Sequence, residues 1–207
     1  EGLIKSQDEI QEMQQGKGNE YRITLKEGID ISKRLQTSSS FKRLILTSCG
    51  SVKAWPLTKL IDRISIPRVT DPTKFSPGMV SERVRALNIL ASTFRKTGGV
   101  HAAALYDAQG NLTALAEDVG RHNAVDKVLG LALQQRLSFT ATFLALTGRL
   151  TGDIVLKAAR VKVPLVTSLA AAIDSGIEVA IKTGLTLVGF VRGDRMTIYT
   201  FPERLMP

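Results

Sequence analysis

Residues 97–127 read TGGVHAAALYDAQGNLTALAEDVGRHNAVDK, and both histidines of the 207-residue chain, His101 and His122, fall inside them. Residues 100–106 and 112–116 are short apolar runs. Between them lies DAQGN, residues 107–111, whose glycine and asparagine suit a hairpin turn. Glu117 and Asp118 follow, and then Val125, Val128, Leu129 and Ala132 at the spacing of a buried helix stripe. The stretch therefore predicts strand, turn, strand, helix, with polar residues gathered at the helix N-terminus. Unpaired backbone N–H groups collect there and favour an anion. An ordinary capped helix with solvated polar residues has the same pattern, and patterning alone does not separate the two.

Working outward, the same grammar continues on both sides. Upstream, Ser76-Pro77 places an N-cap hydroxyl and a first-turn proline at the start of a helix. Val80, Val84, Leu87, Leu90, Ala91 and Phe94 supply its apolar face, and Gly98-Gly99 ends it. Downstream come a strand at 140–146, a helix at 152–161, a strand at 164–169 and a helix at 174–183 closed by Gly184. Strands at 185–192 and 196–201 finish the chain around Gly193-Asp194. Alternating strands and helices point to an α/β sandwich with a mixed sheet. Nearer the N-terminus, residues 5–15 are polar with a helical reading, 14–19 reads as a loop, and Tyr21, Ile23 and Leu25 alternate as in a half-buried strand. Residues 41–47 (FKRLILT) read as a strand leading into Ser48-Cys49-Gly50. Four of the seven prolines lie in residues 51–77, which argues for an irregular connector and a domain boundary. The expected division is a small N-terminal α+β part at 1–47, a cysteine-bearing loop and connector at 48–76, and a larger domain at 77–207.

Composition bounds the function classes. A hydrophobic content of 43% with 23% charged residues is globular. No apolar run approaches the roughly 18 residues of a membrane span, so no membrane association is expected. The single cysteine excludes an internal disulfide and any multi-cysteine zinc site, and suits a reducing cytoplasm. The net charge of +9 raises the local concentration of anionic partners. The basic residues are scattered and only 5% of residues are aromatic, which leaves no platform for stacking many bases and argues against a nucleic-acid partner.

Three constellations could carry chemistry. Cys49 could accept a sulfur atom as a persulfide, with Lys42, Arg43 and Lys53 close in sequence to favour the thiolate; a buried, inert cysteine is the alternative. Phe190-Val191-Arg192-Gly193-Asp194-Arg195 joins two late strands. Its arginines could meet a pyrophosphate, and the Asp194 carboxylate could receive the donors of a guanine edge. A plain hairpin turn is the competing reading. Gly148, Arg149, Thr151 and Gly152 precede one helix and Gly120, Arg121, His122 and Asn123 open another; each helix start with its arginine favours an anion without metal, and structural capping by Thr151 and Gly152 can coexist with that. His101, at a strand start, is the weakest candidate.

The opening stretch, together with LTGRLTGDIVLKAARVKVPLV (146–166) and GLTLVGFVRGDRMTIYT (184–200), resembles the formate dehydrogenase accessory sulfurtransferase family (FdhD). The resemblance implies a cytidine-deaminase-like three-layer sandwich preceded by a smaller, truncated N-terminal part; the opening EGLIKSQDEI resembles the interior of that part. It also implies a homodimer that passes sulfur from a cysteine desulfurase to the molybdenum (or tungsten) cofactor of formate dehydrogenase. The cofactor is bound as substrate in its bis(molybdopterin guanine dinucleotide) form. On this reading Cys49 is the persulfide carrier, residues 190–195 contact the cofactor, and Arg121, His122 and Arg149 complete the pocket. TSCGSVK resembles the family's S-C-G-x-C-G loop with two departures: Val52 stands where the second cysteine would be, and Lys53 replaces the following glycine. A single-cysteine relay, or a non-catalytic cofactor-binding chaperone, fits those departures. Zinc-dependent deamination does not fit, because neither helix start carries the cysteines such a metal needs.

Overall fold

The computed structural model describes Ile4 and residues 6–17, 20–32 and 68–205. The strand expected at 41–47, the Cys49 loop and most of the proline-rich connector lie outside the described residues. The chain divides into two compact units, Glu1–Ile45 and Leu46–Pro207.

In the first unit a 3-10 turn, Gln7–Glu9, leads into strand β1 (Ile10–Gln15), which pairs antiparallel with β2 (Tyr21–Leu25). The helical reading of residues 5–15 is thus corrected to a strand. With only Ile10 and Met13 apolar, a helix there would have no stripe to bury. Pairing with β2 satisfies the backbone instead.

The second unit is built on a six-stranded mixed sheet. Its strands are β3 (His101–Asp107), β4 (Leu112–Asp118), β5 (Thr142–Leu146), β6 (Leu165–Ser168), β7 (Thr186–Arg192) and β8 (Arg195–Thr200), in the order β4-β3-β5-β6-β7-β8. β5, β6 and β7 run parallel, while β3 is antiparallel to both neighbours and β8 is antiparallel to β7. The helices are α1 (Pro77–Leu90), α2 (Ser92–Thr97), α3 (Arg121–Gln134), α4 (Gly152–Arg160) and α5 (Asp174–Thr183). Period-two alternation sorts the strand side chains. Ala102, Ala104, Tyr106, Phe143 and Ala145 form one core with Phe75 and with Val80, Val84 and Leu87 of α1. There the Tyr106 ring stacks on Phe143 at 5.1 Å, and Phe75 meets Phe143 edge-on at 5.6 Å. Residues of the opposite parity, among them Ala103, Leu105, Leu144 and Leu146, are equally buried, beneath the face that α3, α4 and α5 cover. Each large apolar side chain so buried contributes about 1.5–3 kcal/mol. The result is a three-layer α/β sandwich on a mixed sheet, as expected.

Two local differences from the sequence reading have physical causes. The helix expected to run through Phe94 breaks at Ala91, because the Glu117 carboxylate accepts the backbone N–H groups of Thr93 (3.1 Å) and Phe94 (2.6 Å). That carboxylate caps a fresh helix start, and Gly98 in the left-handed region (φ 61°) ends α2. Residues 68–76 carry no helix or strand, yet hydrogen bonds hold them in place within the larger unit. Val69 donates to Thr183 O (2.8 Å), Phe75 donates to Arg204 O (2.7 Å), and the Arg204 guanidinium bonds back to Asp71 O, Gly184 O and Val69 O. Among the described residues no helix is long and apolar enough to cross a membrane.

Candidate functional site

In this topology the carboxyl ends of β5, β6 and β7, the start of β3 and the N-termini of α3, α4 and α5 fall at one end of the sheet. Ligands of open α/β sheets bind at the carboxyl ends of the parallel strands. Two basic features sit there, one a cleft and one a groove.

The cleft lies where β3, α3 and the loop after β5 meet. A Cβ added to Gly148 would lie 3.1 Å from Arg121 Cβ and 3.2 Å from His101 Nδ1, so glycine lets these three elements pack closely without displacing either side chain. Ser168, fully buried, fixes the loop by donating its hydroxyl toward Leu146 O (3.1 Å) and Gly148 O (2.6 Å). Gly176 fixes it from the other side, because an added Cβ would lie 2.4 Å from Leu150 O. Burial, and then Arg121 and Arg149, hold the His101 pKa below the ordinary histidine value. Burial also lowers that of His122, reinforced by Arg121 and Lys157 and opposed by Asp153 and Asp126. Asp118 is held low by Lys127 and the Gly120 N–H. It takes hydrogen bonds from Gly120 N (2.9 Å) and Asn123 Nδ2 (3.1 Å) and an ion pair from Lys127 (2.6 Å). Arg121 and Arg149 have no carboxylate partner among the described residues. Arg121 Nε is inaccessible and without an acceptor. Two guanidinium groups left uncompensated beside two helix N-termini make a place for an anion.

The groove, of about 720 Å³, is lined by Phe190, Arg192, Asp194, Arg195, Met196 and Thr197. It owes its shape to an irregularity in β7. The register shifts between Gly189 and Arg192, and Phe190 adopts a positive φ of 51°. Such a bulge re-aims successive side chains. Phe190 is 44% exposed, whereas Val191 turns into the core beside Val188 and takes no part in the lining. Gly193, at φ 57°, makes the turn between Arg192 and Arg195, and the Ser81 hydroxyl of α1 donates to its carbonyl.

Of the residues singled out in sequence, Arg121 is thus brought against Gly148, with Arg149 close to His101, while Phe190, Arg192, Asp194 and Arg195 share the groove with Gly193 at its turn. Backbone bonds link the two features: Leu150 N donates to Ala171 O (2.9 Å) and Phe190 N to Ala170 O (3.0 Å). Cys49 lies outside the described residues. Sequence reasoning missed Thr147, Ser168 and Gly176, and it underrated His101, which sits among the arginines. The only advance signal for His101 was its place beside the same glycine-rich turn. Among the described residues no three histidine, cysteine, aspartate or glutamate side chains are grouped to hold a metal.

The fold defines a three-layer α/β protein with two basic features at one end of its mixed sheet. Residues 1–206 match the model of the FdhD/NarQ family, and the chain belongs to that family. The sulfur carrier protein FdhD of Thermoplasma acidophilum is 36% identical over 211 residues, covering 100% of this chain and 72% of its own length. That of Sulfolobus acidocaldarius is 35% identical over 206 residues, covering 99% and 76%. The crystal structure of a protein from Desulfotalea psychrophila assigned as a formate dehydrogenase accessory protein superposes with a TM-score of 0.73 at 28% identity, covering 99% of this chain and 74% of that one.

Proposed function

We propose that the chain is a sulfur carrier serving formate dehydrogenase. It takes sulfur from a cysteine desulfurase as a persulfide on Cys49 and passes it to the molybdenum or tungsten guanine dinucleotide cofactor. The observation that carries this reading is the pairing of similarity to sulfur carrier proteins along the length of this chain with a single thiol in its sequence. If this chain carries sulfur on cysteine, Cys49 is the carrier. In loading, the Cys49 thiolate attacks the terminal sulfur of the desulfurase persulfide. The donor's S–S bond breaks, its cysteine leaves as thiolate, and a new S–S bond forms on Cys49, with no net oxidation. Release as sulfide needs two electrons. With Val52 in place of a second cysteine, they come from a thiol of another molecule.

The cofactor is the cargo. The groove supports the guanine half: the exposed Phe190 ring offers a stacking face, Asp194 an acceptor for the guanine edge, and Arg192 and Arg195 contacts to phosphate. The cleft of Arg121, His122 and Arg149 supports a second phosphate contact. Carriage of this kind is cytoplasmic work, and a homodimer would present two such surfaces.

The test is mass spectrometry after incubation with a desulfurase and cysteine. Cys49 is expected to gain about 32 Da, one sulfur atom, removable by a reducing thiol. An unmodified Cys49 under conditions that load a two-cysteine relative would overturn the carrier reading. The valine at position 52 favours one rival, a chaperone that cradles the cofactor without handling sulfur. It predicts that same unmodified Cys49, together with intact guanosine diphosphate binding.

A further inference from the structure

The cleft adjoins the end of β5 and the groove the end of β7, and β6 runs between them. The two outer strands are two strand spacings apart, roughly 10 Å. Ser168, the last residue of β6, is fully buried and is joined to both sides. Towards β5 its hydroxyl donates to the Gly148 carbonyl (2.6 Å), with the Leu146 carbonyl also in reach (3.1 Å). Its oxygen also accepts the backbone N–H of Ala170 (3.0 Å). The Ala170 carbonyl in turn accepts the N–H of Phe190, the bulge residue of β7 (3.0 Å). β7 comes this near because Gly189 has no side chain: an added Cβ would lie 2.9 Å from Ala170 O. One hydroxyl thus links the glycine that packs against Arg121 to the strand residue that opens the groove.

We propose that Ser168 is a positioning residue that holds the cleft and the groove at a fixed separation, so that one nucleotide is gripped by both. The inference deepens the nucleotide-binding part of the proposed function and rests on it. Serine suits the position because a hydroxyl donates and accepts at once. Among the described residues no other donor reaches the buried Gly148 carbonyl. Neighbouring backbone bonds, Leu169 N to Leu146 O (3.1 Å) and Leu150 N to Ala171 O (2.9 Å), do not pass through the Ser168 side chain. They keep the two loops folded without it. Loss of the hydroxyl therefore frees the Gly148 turn and leaves the sheet intact. A ligand held at one feature alone is indifferent to their separation. A ligand held at both binds less well once that separation varies.

The experiment compares guanosine diphosphate with guanosine monophosphate by calorimetry on the full chain. The diphosphate has a phosphate to spare for the cleft, whereas the monophosphate engages the groove alone. The wild-type chain should bind the diphosphate roughly tenfold tighter or more. Ser168→Ala should remove roughly tenfold of diphosphate affinity and leave the monophosphate within about twofold. Ser168→Thr, which keeps the hydroxyl, should recover most of the difference. A serine with a merely structural role would weaken both nucleotides alike, so equal losses in Ser168→Ala, or none, would overturn the proposal. Equal affinity of the wild-type chain for the two nucleotides would also overturn it, because nothing would then be gripped from both sides. Hydrogen exchange on the wild-type chain decides the matter if neither variant folds. The Ala170 N–H should exchange slowly, and more slowly with diphosphate than with monophosphate; an effect of equal size from the two would contradict the linkage. Failure of the wider reading has a different signature. If Cys49 takes up no sulfur while the diphosphate preference and its dependence on Ser168 persist, the carrier function falls and the positioning role stands.

Discussion

The cleft around Gly148 and the groove around Phe190 are built by opposite constructions, although both are basic and both sit at one end of the sheet. The cleft is set by packing. Gly176 leaves no space for a methyl group, one at Gly148 would crowd Arg121 and His101, Ser168 is buried, and Arg121 Nε is withdrawn from solvent. The groove is set by a bulge in one hairpin, and Phe190, Arg192, Asp194 and Arg195 project outward from it. Rigid surroundings suit a small, symmetric, highly charged group whose position must be held. An exposed hairpin suits a large planar group that is recognised by its edge and face. On the proposed function the groove takes the guanine base and its adjoining phosphate, and the cleft takes a further phosphate.

Glycine substitutions should separate the two constructions most strongly. Gly176→Ala puts a Cβ 2.4 Å from the Leu150 carbonyl, a backbone atom that cannot swing away. It is expected to cost about 3 kcal/mol and to abolish pyrophosphate binding. Gly193→Ala meets nothing within 4 Å and carries only the strain of φ 57°, so it should cost about 1 kcal/mol. Urea denaturation of the two variants gives the comparison directly; similar losses would mean that the groove is as tightly determined as the cleft.

Next in size, Arg192→Ala and Arg195→Ala should each weaken guanosine diphosphate roughly ten- to a hundred-fold, with lysine recovering only part, because a point charge cannot bond bidentately. Persulfide loading of Cys49 should be unchanged. Calorimetry finding no preference for guanine over adenine nucleotides would remove base reading from the groove.

The smallest effect is a pH dependence confined to the cleft. Folded His101 and His122 both have depressed pKa values, caused first by burial. A group that is neutral when folded takes up a proton on unfolding. Its stabilisation is therefore complete above the unfolded value of about 6.5 and is lost as pH falls through the folded value. Melting temperature should decline as pH is lowered below neutrality, before any carboxylate protonates. In a His101→Gln/His122→Gln protein that first decline should vanish. A decline of equal size in the double variant would place its origin elsewhere.

Much of this arrangement is legible in the sequence, and the exceptions share a cause. The order of β3, β4 and α3 follows from apolar spacing and the DAQGN turn, because local pattern and tertiary burial agree there. The break at Ala91 was hidden because its cause is Glu117, a residue 26 positions away on another strand. The strand at residues 10–15 was misread because β2 supplies the pairing, and a polar segment advertises no periodicity of its own. For the site, helix N-termini and arginines could be named from spacing. The closeness of Gly148 to Arg121 and His101 depends on register between β3 and β5, which no local pattern states.

The central claim is that the only thiol of this chain carries the sulfur that formate dehydrogenase needs. Formate dehydrogenase activity should be measured in cells that depend on this chain for its maturation, with wild-type protein and with Cys49→Ala produced at equal level and equal melting temperature. The account predicts that activity is lost with Cys49→Ala. Full activity from Cys49→Ala would contradict it, because no other residue of the chain can hold a persulfide.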